Sequence, residues 1–248
     1  MRRLRLLGVA AAAGLISAAF AAPVAHAEPE IRTYEVTITD LTAGQPFTPY
    51  LVALGKGNTS LFKLGKRASV GVQEIAENGN LAPLQAALES NHSIATVDAG
   101  TFPLVPPNVA ASGTFPTSVT FTISGPEWAR RFFWEQMLIC TNDGFTGVSA
   151  MKLPKHVGDN VTVGTLGYDA GTEIDTEDYA DIVPPCQGLI GDHAGESDAG
   201  TGTTNPALAE HGVVTIHSGI QGIDDLSTII HGWDVTQPVA SLSITRTA

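Results

Sequence analysis

Apolar and polar residues alternate one by one in several short stretches of this chain, and that period of two constrains the fold more than any other feature. In Tyr34-Glu35-Val36-Thr37-Ile38-Thr39 the apolar side chains fall on one side of an extended backbone and the polar ones on the other. Val119 to Ser124 and Ala240 to Thr245 repeat the pattern, while Val161 to Leu166 and Val213 to His217 are further β-branched runs. Gly- and Pro-rich breaks separate them, among them Thr42 to Pro46, Pro103 to Pro107 and Val183-Pro184-Pro185. Many short alternating strands punctuated in this way predict a mainly β protein, an antiparallel β-sandwich of two sheets. Helical spacing is confined to the first half, over Ser69 to Glu77 and Pro83 to Ser90, with Val70, Ile75, Leu84 and Leu88 as core contacts and Asn78-Gly79 as a stop. These segments are expected as a few short helices on one end of the sandwich. Glu127 to Ile139 reads equally as a helix or a buried strand, and Gly188 to Asn205 reads as a long mobile loop.

The first 27 residues have a separate logic. Arg2, Arg3 and Arg5 precede an apolar run from Leu6 to Phe20, and Ala25-His26-Ala27 is a small-residue processing signal. Residues 1–27 are therefore expected to be a cleaved signal peptide, with one domain over 28–248 and a secreted or extracytoplasmic location. No later stretch has the length to span a membrane. The whole chain carries 13 Lys and Arg against 25 Asp and Glu, a formal charge of −12; without the three leader arginines it carries 10 against 25, or −15. With so few bases, scattered along the sequence, nucleic acid is not an expected partner.

Two cysteines, Cys140 and Cys186, remain in a chain bound for an oxidising compartment, which predicts a disulfide between them. In the chain-entropy description a loop of that size stabilises the fold by about 3–4 kcal/mol. The segment from Gly167 to Asp178 holds five carboxylates, Asp169, Glu173, Asp175, Glu177 and Asp178, and no Lys or Arg. Crowded carboxylates repel unless a cation or protons intervene, so the segment is either a site for a hard ion such as Ca²⁺ or a solvated acidic loop. Its spacing is not that of an EF-hand. Upstream, Asn142-Asp143-Gly144 has the chemistry of a turn and places a further acid at the end of a strand.

Tyr34 to Pro49, Asn142 to Gly147, Tyr168 to Glu173 and the closing His231-Gly232-Trp233 together resemble the spondin domain, found in F-spondin and mindin and as a free-standing secreted protein in bacteria. The resemblance spans nearly the whole of 28–248. It implies a β-sandwich with added helices, a role in extracellular recognition or adhesion with a protein or glycan ligand, and one divalent cation, Ca²⁺, held by three acids. Those positions fall on Asp143, Asp169 and Glu173; at the last, Glu stands where the family pattern has Asp. Binding of a heparin-like polyanion is not expected of so acidic a chain unless Lys63, Lys66 and Arg67 form a local patch.

Other classes compete with this one. His217-Ser218 invites a secreted hydrolase, but neighbours on a strand point to opposite faces, and no nucleophile-elbow, zinc-protease, phosphate-loop or dinucleotide motif is present, so no enzymatic activity is expected. His211 and His217 share strand parity and form an alternative metal pair. A structural envelope or matrix component is the third class. Phe132, Phe133, Trp128 and Trp134 are expected in the core rather than on a partner surface.

Overall fold

The computed structural model describes residues 29–193, 195, 200 and 202–248; the expected signal peptide, with its processing site, lies outside them. Two antiparallel sheets make a sandwich. One has four strands in the order β4-β1-β10-β7, with β1 at Ile31–Asp40, β4 at Ser118–Pro126, β7 at Asn160–Thr165 and β10 at Ala240–Arg246. All four are the strands whose alternation is visible in the sequence. β1 lies between β4 and β10, with Val36 opposite both Phe121 and Ile244. Tyr34, Val36 and Ile38 are buried, while on the other face Thr33 and Ser124, and Thr37 and Thr120, pair their hydroxyls at 2.9 and 2.8 Å.

The second sheet has six strands, β3-β2-β5-β6-β8-β9: β2 Leu51–Gly55, β3 Ile94–Ala99, β5 Arg131–Met137, β6 Gly144–Lys152, β8 Tyr168–Asp169 and β9 Thr215–Ile216. Its central strands are covered on both faces. Val52, Leu54, Phe132 and Trp134 pack with Val36, Ile38, Leu242 and Ile244 between the sheets. Leu51, Ala53, Phe133 and Met137 face the other way, into a second core with α1 (Val70–Asn78) and α2 (Ala82–Glu89). Double burial settles the ambiguity of 127–139: its central part, 131–137, is a strand without alternation because neither face meets water. The expected helices are present, laid on the outer side of this sheet.

Two details differ from the sequence reading. Val70 is 70% exposed, and α1 packs instead through Val72, Ile75 and Ala76, the i, i+3, i+4 stripe that follows its Ser69 cap. A third helix, α3 (Pro185–Ile190), lies in the second half and occupies the start of the segment expected as a mobile loop, parts of which lie outside the described residues. It starts at Pro184-Pro185, a sequence read only as a break, where Pro is suited to a first helical turn. The disulfide Cys140–Cys186 is formed and ties α3 to the loop between β5 and β6, closing a separation of 46 residues.

Gln45 binds these parts together. Its amide donates to the carbonyls of Cys140 (3.1 Å) and His231 (2.7 Å), and its oxygen accepts from the Cys140 N–H at 3.2 Å. The neighbouring residue must be Gly44, since a Cβ there would lie 1.6 Å from the Ile230 carbonyl oxygen.

Among the described residues, one buried carboxylate has no hydrogen-bond partner on either oxygen, that of the fully buried Glu135 on β5. Burial holds its pKa well above 4.5, so the folded protein keeps the acid form while the unfolded chain ionises above that pH. The unfolded state then binds fewer protons, and stability falls as pH rises through this range. Glu135→Leu is expected to add about 1–3 kcal/mol at pH 8, measured by urea unfolding, and less at pH 4. An equal gain at both pH values would show that ionisation is not responsible.

Candidate functional site

Strands β6 and β8 carry the acidic residues to one end of the six-stranded sheet. Gly144 pairs with Asp169, so Asp143, one residue before the ladder, lies beside it. The Thr141 hydroxyl donates to the Leu138 carbonyl and accepts the Gly144 N–H, which shapes the tight turn from β5 into Asp143. One oxygen of Asp143 (Oδ2) accepts three hydrogen bonds from the acidic segment: the Thr172 N–H (2.7 Å), the Thr172 hydroxyl (3.1 Å) and the Glu173 N–H (3.0 Å). Its other oxygen, Oδ1, is buried with no partner. Asp169 accepts the Gly171 N–H at 2.5 Å, and Gly171 itself has φ of +68° with the Val213 backbone where a side chain would go.

The five acids of 169–178 have different roles. Glu177 is buried and clamps a loop: its carboxylate accepts the N–H groups of Gln221 (2.5 Å), Gly222 (2.7 Å) and Ile223 (2.9 Å). Asp178 caps a turn by accepting the Ala180 N–H at 2.8 Å. Asp169 and Asp175 lie near enough to Asp143 for their charges to act on it, but among the described residues the oxygens of these acids form no set of three within 4.8 Å of one another. Burial, then the charge of Asp169, pushes Asp143 up to about 7; burial and the charges of Asp169, Glu177 and Glu210 push Asp175 up to about 7. Glu173 gives its backbone N–H to Asp143, but its carboxylate borders a 280 Å³ pocket shared with Glu77 and Asp181. Burial first, then Glu77 ahead of Asp143 and Asp181, pushes Glu173 up to about 8. The β6–β8 ladder sets Asp143 next to Asp169, the Glu173 carboxylate turns to a different pocket, and Asp175, which the resemblance did not mark, adds its charge to that of Asp169.

Histidine chemistry is set by hydrogen bonds. His217 is buried, its Nδ1 accepts the Gly219 N–H at 3.0 Å, and its one ring proton is therefore on Nε2. That nitrogen lies 3.8 Å from Asp175 Oδ1 without a hydrogen-bond partner. Burial pushes the imidazole down to about 4, against the opposing charges of Asp169 and Glu177. In this tautomer His217 presents a proton, not a lone pair, to the carboxylates. Ser218 donates to the Gly219 carbonyl at 3.3 Å, and no hydrogen bond joins it to His217. Among the described residues, one set of His, Cys, Asp or Glu ligand atoms lies within 4.8 Å of one another, Cys140, Cys186 and His231; its two sulfurs are the disulfide and offer no thiolate. Neither His211 and His217 nor Asp143, Asp169 and Glu173 belong to such a set.

Compared with models of known families, the chain matches none, and no curated protein matches it.

The Glu177 clamp accounts for part of the acidic excess without any ion. Glu177→Gln is expected to cost about 1–3 kcal/mol by weakening three charge-assisted bonds. Hydrogen exchange should speed up at the Gln221, Gly222 and Ile223 amides while the β1 and β10 amides keep their protection. Unchanged exchange at the three amides would rule the clamp out.

Proposed function

We propose that the protein is an extracellular recognition or adhesion module of spondin type whose acidic end binds one divalent cation, Ca²⁺. The observation that carries this reading is Asp143 Oδ1, a carboxylate oxygen buried without a partner beside Asp169. Left alone, such an oxygen costs stability; coordinated, it becomes a ligand. Asp143 and Asp169 supply the principal charges, and the 173–175 segment supplies the third, Glu173 being the position given by the resemblance and Asp175 the acid whose charge acts on Asp143. Three side chains leave most of a six- to eight-oxygen shell to carbonyls and water. The ion would supply charge neutralisation and order the turn at Asp143 and the acidic segment, which already share three hydrogen bonds. The formed disulfide supports an oxidising compartment, and no helix among the described residues is long and apolar enough to cross a membrane.

Calorimetry with Ca²⁺ on residues 28–248 is expected to show a single site at pH 7.5. Asp143→Asn and Asp169→Asn should each weaken it at least tenfold. Asp175→Asn should cost more than Glu173→Gln, since the Glu173 carboxylate faces Glu77. Affinity should drop from pH 8 to pH 5.5, because Asp143 and Asp175, held near 7, must give up protons to bind. Absence of Ca²⁺ binding, or binding undiminished in Asp169→Asn, overturns the reading.

A further inference from the structure

The basic residues are not scattered in three dimensions. Of the ten Lys and Arg in 28–248, five line one 430 Å³ pocket: Arg32 on β1, Arg130 and Arg131 at the start of β5, and Lys152 and Lys155 at and beyond the end of β6. The register explains the convergence. Arg131 pairs with Lys152 across the β5–β6 ladder, and the turn back from Pro126 brings Arg130 alongside. Lys63, Lys66 and Arg67 lie on a different, exposed stretch.

Most of this charge is uncompensated. Arg32 is shared between Glu30 and Glu127, both at 3.4 Å. Among the described residues, Arg130 donates to the Glu127 carbonyl (3.3 Å) and Arg131 to the Ala150 carbonyl (3.3 Å). Among the described residues, no carboxylate lies within 4.0 Å of Arg130, Arg131, Lys152 or Lys155. Four cations without counter-charges repel one another, and a chain with 15 excess acids had many carboxylates available to neutralise them. Tyr34, Leu153 and Pro154 give the pocket an apolar floor.

We infer that this pocket is an anion-binding site for a small molecule carrying two or more phosphate or sulfate groups, such as a phosphorylated or sulfated sugar. The guanidinium forks of Arg130 and Arg131 suit the paired oxygens of such groups, the lysines act as point charges, and the body of the ligand rests on Leu153 and Pro154. A small ligand is favoured over a polymer by the charge around the pocket. The pocket is bounded by Glu30 and Glu127, and a long polyanion would have to run onto a surface of its own sign.

Titration at low salt with sucrose octasulfate and with inositol hexakisphosphate separates the sulfate and phosphate sources, and a 20-residue oligothymidylate provides the polymer arm. The expected result is one saturable site for at least one of the two small anions, weakened tenfold or more in the triple variant Arg130→Ala/Lys152→Ala/Lys155→Ala. These three side chains are exposed, so circular dichroism and the melting temperature should stay at wild-type values. Lys63→Ala/Lys66→Ala should bind as wild type. The inference is overturned if neither small anion saturates, if both variants bind equally, or if the oligonucleotide binds more tightly than either small anion.

Discussion

Burying β5 on both faces is the constraint from which the rest of the architecture follows. A strand sandwiched between two apolar layers needs a sheet on one side and something else on the other, and here α1 and α2 supply the second cover. Phe132 and Trp134 commit one face to the sandwich interior, Phe133 and Met137 the other to the helices. Because β5 cannot shift without exposing one of these sets, its two ends are fixed points. One end leads through the Thr141 turn into Asp143; the other begins at Arg131. The acidic end and the basic pocket are thus extensions of the same rigid strand, which suits groups that must hold position.

The sequence showed the four-stranded sheet more clearly than the six-stranded one, for a physical reason. β1, β4, β7 and β10 have one wet face, so their hydroxyl-rich outer positions alternate with apolar inner ones. β2 and β5 have no wet face, and β8 and β9 are two residues long, too short to show any period. Asp143, Asp169 and the disulfide could be read from residue type, turn chemistry and resemblance. The sorting of the acids could not, because it depends on which backbone N–H groups each carboxylate meets: Gln221, Gly222 and Ile223 for Glu177, Thr172 and Glu173 for Asp143. Those partners are up to 46 residues away.

Charge followed the same rule. The ten bases look dispersed along the chain because Arg32, Arg131 and Lys152 are far apart in sequence, and only strand register makes them neighbours. Val70 is a local instance: residue type suggested a buried position, but the helix phase set by the Ser69 cap turns Val72 inward instead.

The β5–β6 hairpin has acids at one end and bases at the other, with Met137 opposite Phe145 near the first and Arg131 opposite Lys152 at the second. From Arg131 to Met137 an extended strand covers about 20 Å. In physiological salt a charge in the solvent is screened over about 8 Å, so around the outside of the protein the two ends lie more than two screening lengths apart. Through the solvent each end feels the other only weakly, and a molecule of large net negative charge can still present a locally positive face to whatever arrives at the basic end.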